Sequence, residues 1–348
     1  MLKRLSHKNL RGLKDNNHKL ERVTHIVGDN GSGKTTLLEA VSLLLNGKTF
    51  VSANKKELIN TNEKQMLLTG TTEEESGQST NLSLSVAETS STHKANEKRI
   101  SQQKAHLEHP VCVVDANIIN VSSGAPSYRR GLVDRAVFHV EPNHAKNHRE
   151  FKKCLTQRNR ALSKNRTQRE VSSWNEPLSL AGEKISRARQ ELLSQAKPFF
   201  KELTSEVLGA GYGYSFIRGW EEESYLNCLI RNETKDRILK STSKGPQKED
   251  FRLLCLNKKT KKYSSHGEEK LASIAFVFSL NMAIEKRKNT LSTMLFDELE
   301  SGLDNKAFGK LVMIIKTFKN QQLITSLTHH TAPKEICGKI ICPEQNKE

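Results

Sequence analysis

Aromatic residues make up only 5% of this 348-residue chain. That is too few for a groove that stacks many single-stranded bases, so any nucleic-acid contact is expected to run through phosphates. The six cysteines, Cys112, Cys154, Cys228, Cys255, Cys337 and Cys342, are scattered. Only the last two lie close together, and no second pair completes a zinc knuckle; the plain reading is thiols in a reducing cytosol. Long apolar runs are also missing. The most apolar stretch, Ile274 to Ile284, is 11 residues long and contains Asn281, whereas a membrane span needs about 20. The opening MLKRLSHKNLRGLK offers no apolar segment for a leader. A soluble, cytoplasmic protein with no membrane partner is expected. Negative charge is short as well: Asp plus Glu number 39 against 56 Lys plus Arg, a formal net charge of +17. Such a surplus points to a polyanion, nucleic acid first and an acidic membrane surface second.

What is present reads as two kinds of segment. Val23 to Val27 is a short apolar run, expected as a buried strand, and Lys34 to Leu45 carries one apolar stripe of helical spacing. Lys64 to Gly70, Asn81 to Val86 and Pro110 to Val114 read as further strands. From about His144 to Leu208 the pattern is helical. Phe151, Cys154, Leu155 and Leu162 form one stripe, and Ile185, Ala188, Leu192, Ala196, Leu203 and Val207 another. Two long helices with polar outer faces suggest an αα arm, with a kink or break expected at Pro198. After that come an apolar helix (Leu271 to Glu285), a buried strand (Thr293 to Phe296), an amphipathic helix (Asn305 to Phe318) and another strand (Gln322 to Leu327). Alternating strands and helices indicate a parallel sheet. The expected organisation is a discontinuous α/β head, residues 1–120 plus 240–348, around an inserted, mainly helical arm at 121–239.

The strongest chemical signal is Gly28, Asp29, Asn30, Gly31, Ser32, Gly33, Lys34, Thr35, a full match to G-x-x-x-x-G-K-[ST], followed by Thr36. It sits between a strand and a helix, as a phosphate-binding loop must. The glycines let backbone amides curl around a phosphate, and the helix N-terminus adds partial positive charge. Lys34 would reach the β- and γ-phosphates of ATP and Thr35 would ligate Mg²⁺. Asp297 closes the apolar strand Thr293 to Phe296, where such a fold places its metal-organising carboxylate, and Glu298 could polarise the attacking water. A Mg²⁺-dependent ATPase with Lys34, Asp297 and Glu298 as its catalytic residues is expected.

Three further pieces choose the class. Ser264 to Lys270 (SSHGEEK), before the helix Leu271 to Glu285, looks like the serine-glycine signature of ABC ATPases. In that superfamily Ser265 and Gly267 would contact the γ-phosphate held by the opposite subunit. Ser301, Gly302, Leu303 and Asp304 follow Glu298 at the spacing of a D-loop, and His329 or His330 stands where a switch histidine would lie. Each piece alone is a polar cap or an ordinary turn; their order and spacing together give them weight.

The segment Ser123, Gly124, Ala125, Pro126, Ser127, Tyr128, Arg129, Arg130 to Asp134, continuing through Phe138, Glu141 and Pro142, resembles a signature of the RecF family. So do KKCLTQRNRAL (152–162), Gly219-Trp220, Gly245-Pro246 and Asn46 to Phe50, so the resemblance spans nearly the whole chain. It implies an ABC-type ATPase head and two ATPs sandwiched in an ATP-dependent homodimer. It also implies duplex DNA bound next to a single-stranded gap, partnership with RecR and RecO, and help in loading the recombinase. A further signal is a basic run: Lys146, Arg149, Lys152, Lys153, Arg158, Arg160, Lys164, Arg166 and Arg169, opposed only by Glu150. Arg129, Arg130, Lys152, Lys153, Arg158 and Arg160 are the candidate DNA contacts; the bland alternative is a solvated helix face. This chain has Asp297-Glu298 where the family usually has two aspartates, Gly302 where it usually has Glu, and Glu268 and Glu269 where it usually has glutamines. Those differences keep a RecF-like ATPase of a defence system as an alternative. A transporter nucleotide-binding subunit would not be expected to carry GAPSYRR or a basic arm. A small-molecule kinase would leave the ABC signature unexplained.

Overall fold

A computed structural model describes every residue except Ala53, Glu75, Asn257, 328–335 and 346–348. In chain order its strands are β1 (Leu2–Lys8), β2 (Asn16–Lys19), β3 (Val23–Val27), β4 (Gln65–Glu73), β5 (Ser79–Ala87), β6 (Ser91–Ala95), β7 (Lys98–Ile100), β8 (Val111–Val114), β9 (Tyr212–Ile217), β10 (Asp250–Cys255), β11 (Lys258–Lys259), β12 (Thr293–Phe296), β13 (Gln321–Ser326) and β14 (Lys339–Ile341). Its helices are α1 (Lys34–Asn46), α2 (Gln102–Glu108), α3 (Asn120–Ser123), α4 (Pro126–Val140), α5 (His144–Ser163), α6 (Gln168–Ser172), α7 (Asn175–Val207), α8 (Tyr225–Arg231), α9 (Glu233–Leu239), α10 (Thr260–Tyr263), α11 (His266–Lys288) and α12 (Asn305–Thr317).

The first of two compact units comprises Met1–Ile118 and Asn289–Glu348. It holds a parallel sheet of order β14-β3-β13-β12-β8 and an antiparallel sheet of order β2-β1-β4-β5-β6-β7. β3, β12 and β13 are buried along their whole length. Both faces of these strands are covered, so their polar residues, such as Thr24, His25, Gln321 and Gln322, are enclosed too, whereas in β5 buried Leu82, Leu84 and Val86 alternate with half-buried residues. α1 packs against β4 and β5 and also against β8 and β13. Its Leu37, Leu38, Val41 and Leu44 join Leu68 and Leu84 of one sheet and Ile26, Leu295 and Leu323 of the other in one apolar core. Gly70 on β4 permits the close fit: a Cβ there would lie 2.6 Å from the Arg4 carbonyl oxygen and 2.8 Å from Leu44 Cδ2. α1 ends at Gly47, whose left-handed φ of 73° lets its N–H cap the Leu43 carbonyl.

The second unit is Ile119–Lys288. The long α7 packs along α5 and α11, and a small sheet of order β11-β10-β9 lies in the same unit. Residues 240–288, expected with the head, therefore group with the inserted unit: β10 pairs with β9, and α11 lies on α7. Of the kink or break expected at Pro198, the break does not occur: α7 runs through that residue as one helix and packs along α5 and α11. Lys258 and Lys259 form β11, antiparallel to β10, and α10 follows at Thr260. Among the described residues, no helix is long and apolar enough to cross a membrane.

Candidate nucleotide-binding site

The site begins where β3 leaves the parallel sheet. Gly31 and Gly33 take left-handed φ values of 82° and 97°, a conformation that L side chains resist. Space is short as well: a Cβ on Gly33 would sit 2.5 Å from Leu13 Cδ2, and one on Gly28 2.5 Å from Ser32 Oγ. α1 then opens at Lys34 with no side chain capping its N-terminus and no acidic residue in its first turn. Its leading N–H groups and its dipole are left to an anion. The buried Lys34 folds back over the loop, Nζ donating to the carbonyl oxygens of Gly28 (2.7 Å) and Asp29 (2.8 Å). Gln345 Nε2 donates to the carbonyl of Gly31.

Opposite the loop, Asp297 stands at the carboxyl end of β12. Thr35 Oγ1 lies 3.0 and 2.9 Å from its two carboxylate oxygens, and Thr325 Oγ1, on the neighbouring β13, lies 2.9 Å from Oδ1. Burial pushes the Asp297 carboxyl above the usual carboxylate range, and the negative charges of Glu298 and Asp115 push the same way. The hydroxyls of Thr35 and Thr325 oppose them. Among the described residues the buried carboxylate therefore has hydroxyl hydrogen-bond partners, two negative neighbours and no hydrogen-bonded cation, the environment a divalent cation would relieve. Glu298 is exposed, its backbone N–H donates to Thr325 Oγ1 (2.9 Å), and its φ is 51°. A non-glycine residue held in that region marks local strain, which concentrates at functional positions.

The other ATPase pieces have their own local roles. Ser265 precedes α11 in a reciprocal cap: Ser265 Oγ accepts from Glu268 N–H (3.3 Å) and Glu268 Oε2 accepts from Ser265 N–H (2.8 Å). Ser265 is exposed and Gly267 half-buried at that helix start. Asp304 caps α12, accepting from Ala307 N–H at 2.7 Å. His329 and His330 lie outside the described residues.

The description of one family model, RecF/RecN/SMC N terminal domain, matches residues 1–341. The chain belongs to that family. It is 28% identical over 309 residues to the DNA replication and repair protein RecF of Pseudomonas aeruginosa, covering 87% of this chain and 84% of that one. To the RecF of Pseudomonas entomophila it is 29% identical over 315 residues, covering 88% and 85%. Among solved structures, the recombination mediator protein RecF-ATP of the RecFOR pathway superposes with a TM-score of 0.86 at 22% identity, covering 99% of this chain and 95% of that one. An Smc head domain from Pyrococcus furiosus gives 0.58 at 17% identity, covering 99% and 94%. These likenesses establish an ATPase-head fold of the RecF and SMC kind, as the GAPSYRR segment and the phosphate loop led one to expect.

Two of the six candidate DNA contacts are not at the surface. Arg129 is buried and forks onto Asp250, Nε to Oδ1 at 2.7 Å and NH2 to Oδ2 at 2.9 Å. Arg158 is fully buried and donates to Asn175 Oδ1 (2.8 Å), Asp236 Oδ2 (2.7 Å) and Thr242 Oγ1 (2.8 Å). Both guanidinium groups are consumed by internal carboxylates and cannot meet a phosphate. Arg130 is half-buried, with NH1 donating to the Glu249 carbonyl at 2.8 Å. Lys152, Lys153 and Arg160 are exposed on α5.

Sequence reasoning missed Thr325 and the Arg11–Glu39 pair. Glu39, wholly buried in α1, accepts from Ser52 N–H (2.8 Å) and Ser52 Oγ (2.9 Å) and lies 3.6 Å from Arg11 NH1. Arg11 also lies 3.3 Å from Thr36 Oγ1, so it tethers the helix that carries Lys34 and Thr35. The available signal was Glu39 itself, a lone charge inside an apolar helix that has to find partners.

Proposed function

We propose that this chain is an ATP-dependent DNA-binding ATPase of recombinational gap repair and replication-fork maintenance. The observation that carries the reading is the pairing of Thr35 with Asp297 beneath an uncapped phosphate loop, in a chain that resembles RecF over most of its length. The donor set fits Mg·ATP: the amides of residues 29–34 and Lys34 for the phosphates, Thr36 beside them, and Thr35 and Asp297 for Mg²⁺. When bound, Mg²⁺ would neutralise charge developing on the phosphate oxygens. Lys34 would exchange its two carbonyl acceptors for phosphate oxygens, and Glu298 would orient and accept a proton from the attacking water. Ser265 and Gly267 of a second copy would complete each site, with Asp304 and a histidine at 329 or 330 nearby, so ATP binding closes a homodimer and hydrolysis reopens it. The exposed Lys152, Lys153 and Arg160 would then meet duplex phosphates beside a gap. RecR and RecO are the partners this reading implies, and recombinase loading its outcome.

The test is ATP-dependent binding of the Glu298→Gln protein to a gapped duplex across a salt series. Glu298→Gln should hold a closed dimer on DNA, and Lys34→Ala should not. The logarithm of affinity should fall with that of salt by about 0.9 for each phosphate neutralised. ATP-driven dimers with no DNA affinity would overturn the repair reading and favour a RecF-like ATPase of another system.

A further inference from the structure

Where the segment that resembles the RecF signature runs into α5, three side chains converge, Asp134 from within that segment and His144 and His148 from just past it. Asp134 lies on α4; His144 opens α5 and His148 follows one turn later on the same face. Asp134 Oδ1 is 3.1 Å from His144 Nε2 and 3.3 Å from His148 Nε2, and the two Nε2 atoms are 3.1 Å apart. Hydrogen bonds fill this triangle only by crowding one oxygen. If both imidazoles donate to Oδ1, two N–H groups converge on it with their nitrogens only 3.1 Å apart. If either does not, its nitrogen lone pair faces a carboxylate oxygen. Arg189 already donates to the same oxygen, Nε to Oδ1 at 2.8 Å, and clamps Oδ2 at 2.7 Å.

A cation among the three atoms removes the conflict, because all three lone pairs then point to one centre. Zinc binds imidazole nitrogen and carboxylate oxygen at about 2.0–2.2 Å, which in a tetrahedron separates the donor atoms by roughly 3.3–3.6 Å. The observed edges fall a few tenths of an ångström short of that, within reach of small rotations. Arg189 fixes the carboxylate by holding both of its oxygens, and its own charge is shared with Glu249 at 2.8 Å. His144 is enclosed, with Phe138 edge-on at 4.9 Å between ring centres, whereas His148 is 29% exposed and leaves an entry path.

We propose that Asp134, His144 and His148 form a binding site for a divalent transition metal of the zinc class, with a fourth position open to water. The ion ties the start of α5, the helix carrying Lys152, Lys153 and Arg160, to α4. Two nitrogens and one oxygen with no thiolate favour zinc or cobalt over a soft monovalent ion, and over magnesium, which prefers oxygen. All three residues belong to the second unit, and the site does not depend on the proposed DNA activity.

The experiment uses the full chain, stripped with chelator and then titrated with Zn²⁺ or Co²⁺, with metal content and the visible absorption of the cobalt form as readouts. Wild type and a Cys337→Ser/Cys342→Ser variant should each bind about one ion per chain. His148→Ala should lose at least about tenfold in zinc affinity while melting, metal-free, like the stripped wild type. Zinc uptake that survives His148→Ala, or that vanishes with the two cysteines, would overturn the assignment, as would a wild type that takes up none. If His148→Ala fails to fold, the wild-type cobalt spectrum decides. Ligand-field bands without sulfur-to-cobalt charge transfer support the site; a strong sulfur band refutes it.

Discussion

Arg158→Met separates the structural arginine from the exposed cations proposed to meet DNA. The guanidinium is wholly enclosed, so methionine keeps the aliphatic stem but leaves Asp236 Oδ2 buried without its cation. Asp236 Oδ1 retains Ser243, whose N–H and hydroxyl donate at 2.9 and 2.6 Å, yet that does not neutralise the charge. Asn175 Oδ1 and Thr242 Oγ1 lose a donor as well. Removing one partner of a buried ion pair costs about 3–5 kcal/mol. For a unit the size of Ile119–Lys288 each kcal/mol moves the melting temperature by about 2–4 °C. The transition that includes this unit should therefore fall by roughly 6–20 °C, measured by calorimetry or by fluorescence of Trp174 and Trp220. Asp236→Asn in the Arg158→Met background should recover part of the loss, because it discharges the stranded carboxylate. By contrast, alanine at the exposed Lys152, Lys153 and Arg160 should each change stability by no more than about 0.5 kcal/mol while weakening DNA binding and flattening its salt dependence. An Arg158→Met protein that melts within about 2 °C of wild type but binds DNA poorly would refute the assignment of Arg158 to the interior.

Three more tests address the nucleotide site. Gly33→Ala forces a Cβ into a left-handed position and against Leu13 Cδ2; it should cost more than about 1 kcal/mol and abolish ATP binding measured by calorimetric titration. Asp297 has a folded-state pKa above its unfolded one, so the native state binds the extra proton. Stability of wild type relative to Asp297→Asn should therefore fall as pH rises above about 3.9 towards the raised value, and Mg²⁺ affinity should climb over the same window as the proton is released. Equal melting profiles across pH would contradict that buried carboxylate. Glu298→Gly should be more stable than Glu298→Ala by about 1 kcal/mol, since glycine accepts the φ of 51° without strain, and both should lose ATP hydrolysis in a phosphate-release assay.

The contrast between what could and could not be read along the chain has a physical basis. The phosphate loop and Asp297 were legible because their constraints are local: a strand, a run of glycines, Lys34 and Thr35 within one turn, and a carboxylate closing an apolar run. The unit boundary was not, because β10 joins β9 from some forty residues away in sequence and α11 lies on α7 rather than following the strands it precedes. The buried arginines have partners still more remote: Asp236 stands 78 residues from Arg158, and Asp250 121 from Arg129. A count of positive charge in α5 treats every cation as one solvated face. Register does not. Phe151, Cys154, Leu155 and Leu162 define the inward stripe of α5, and the helical position missing from that stripe is 158. A cation at an apolar register of a packed helix has to be enclosed, and an enclosed guanidinium requires a carboxylate from elsewhere. Glu39 in α1 obeys the same rule with the signs reversed, meeting Arg11. Lys152, Lys153 and Arg160 fall off the stripe and are exposed. Helical register, more than charge density, therefore separates the cations available to a polyanion from those that hold the fold.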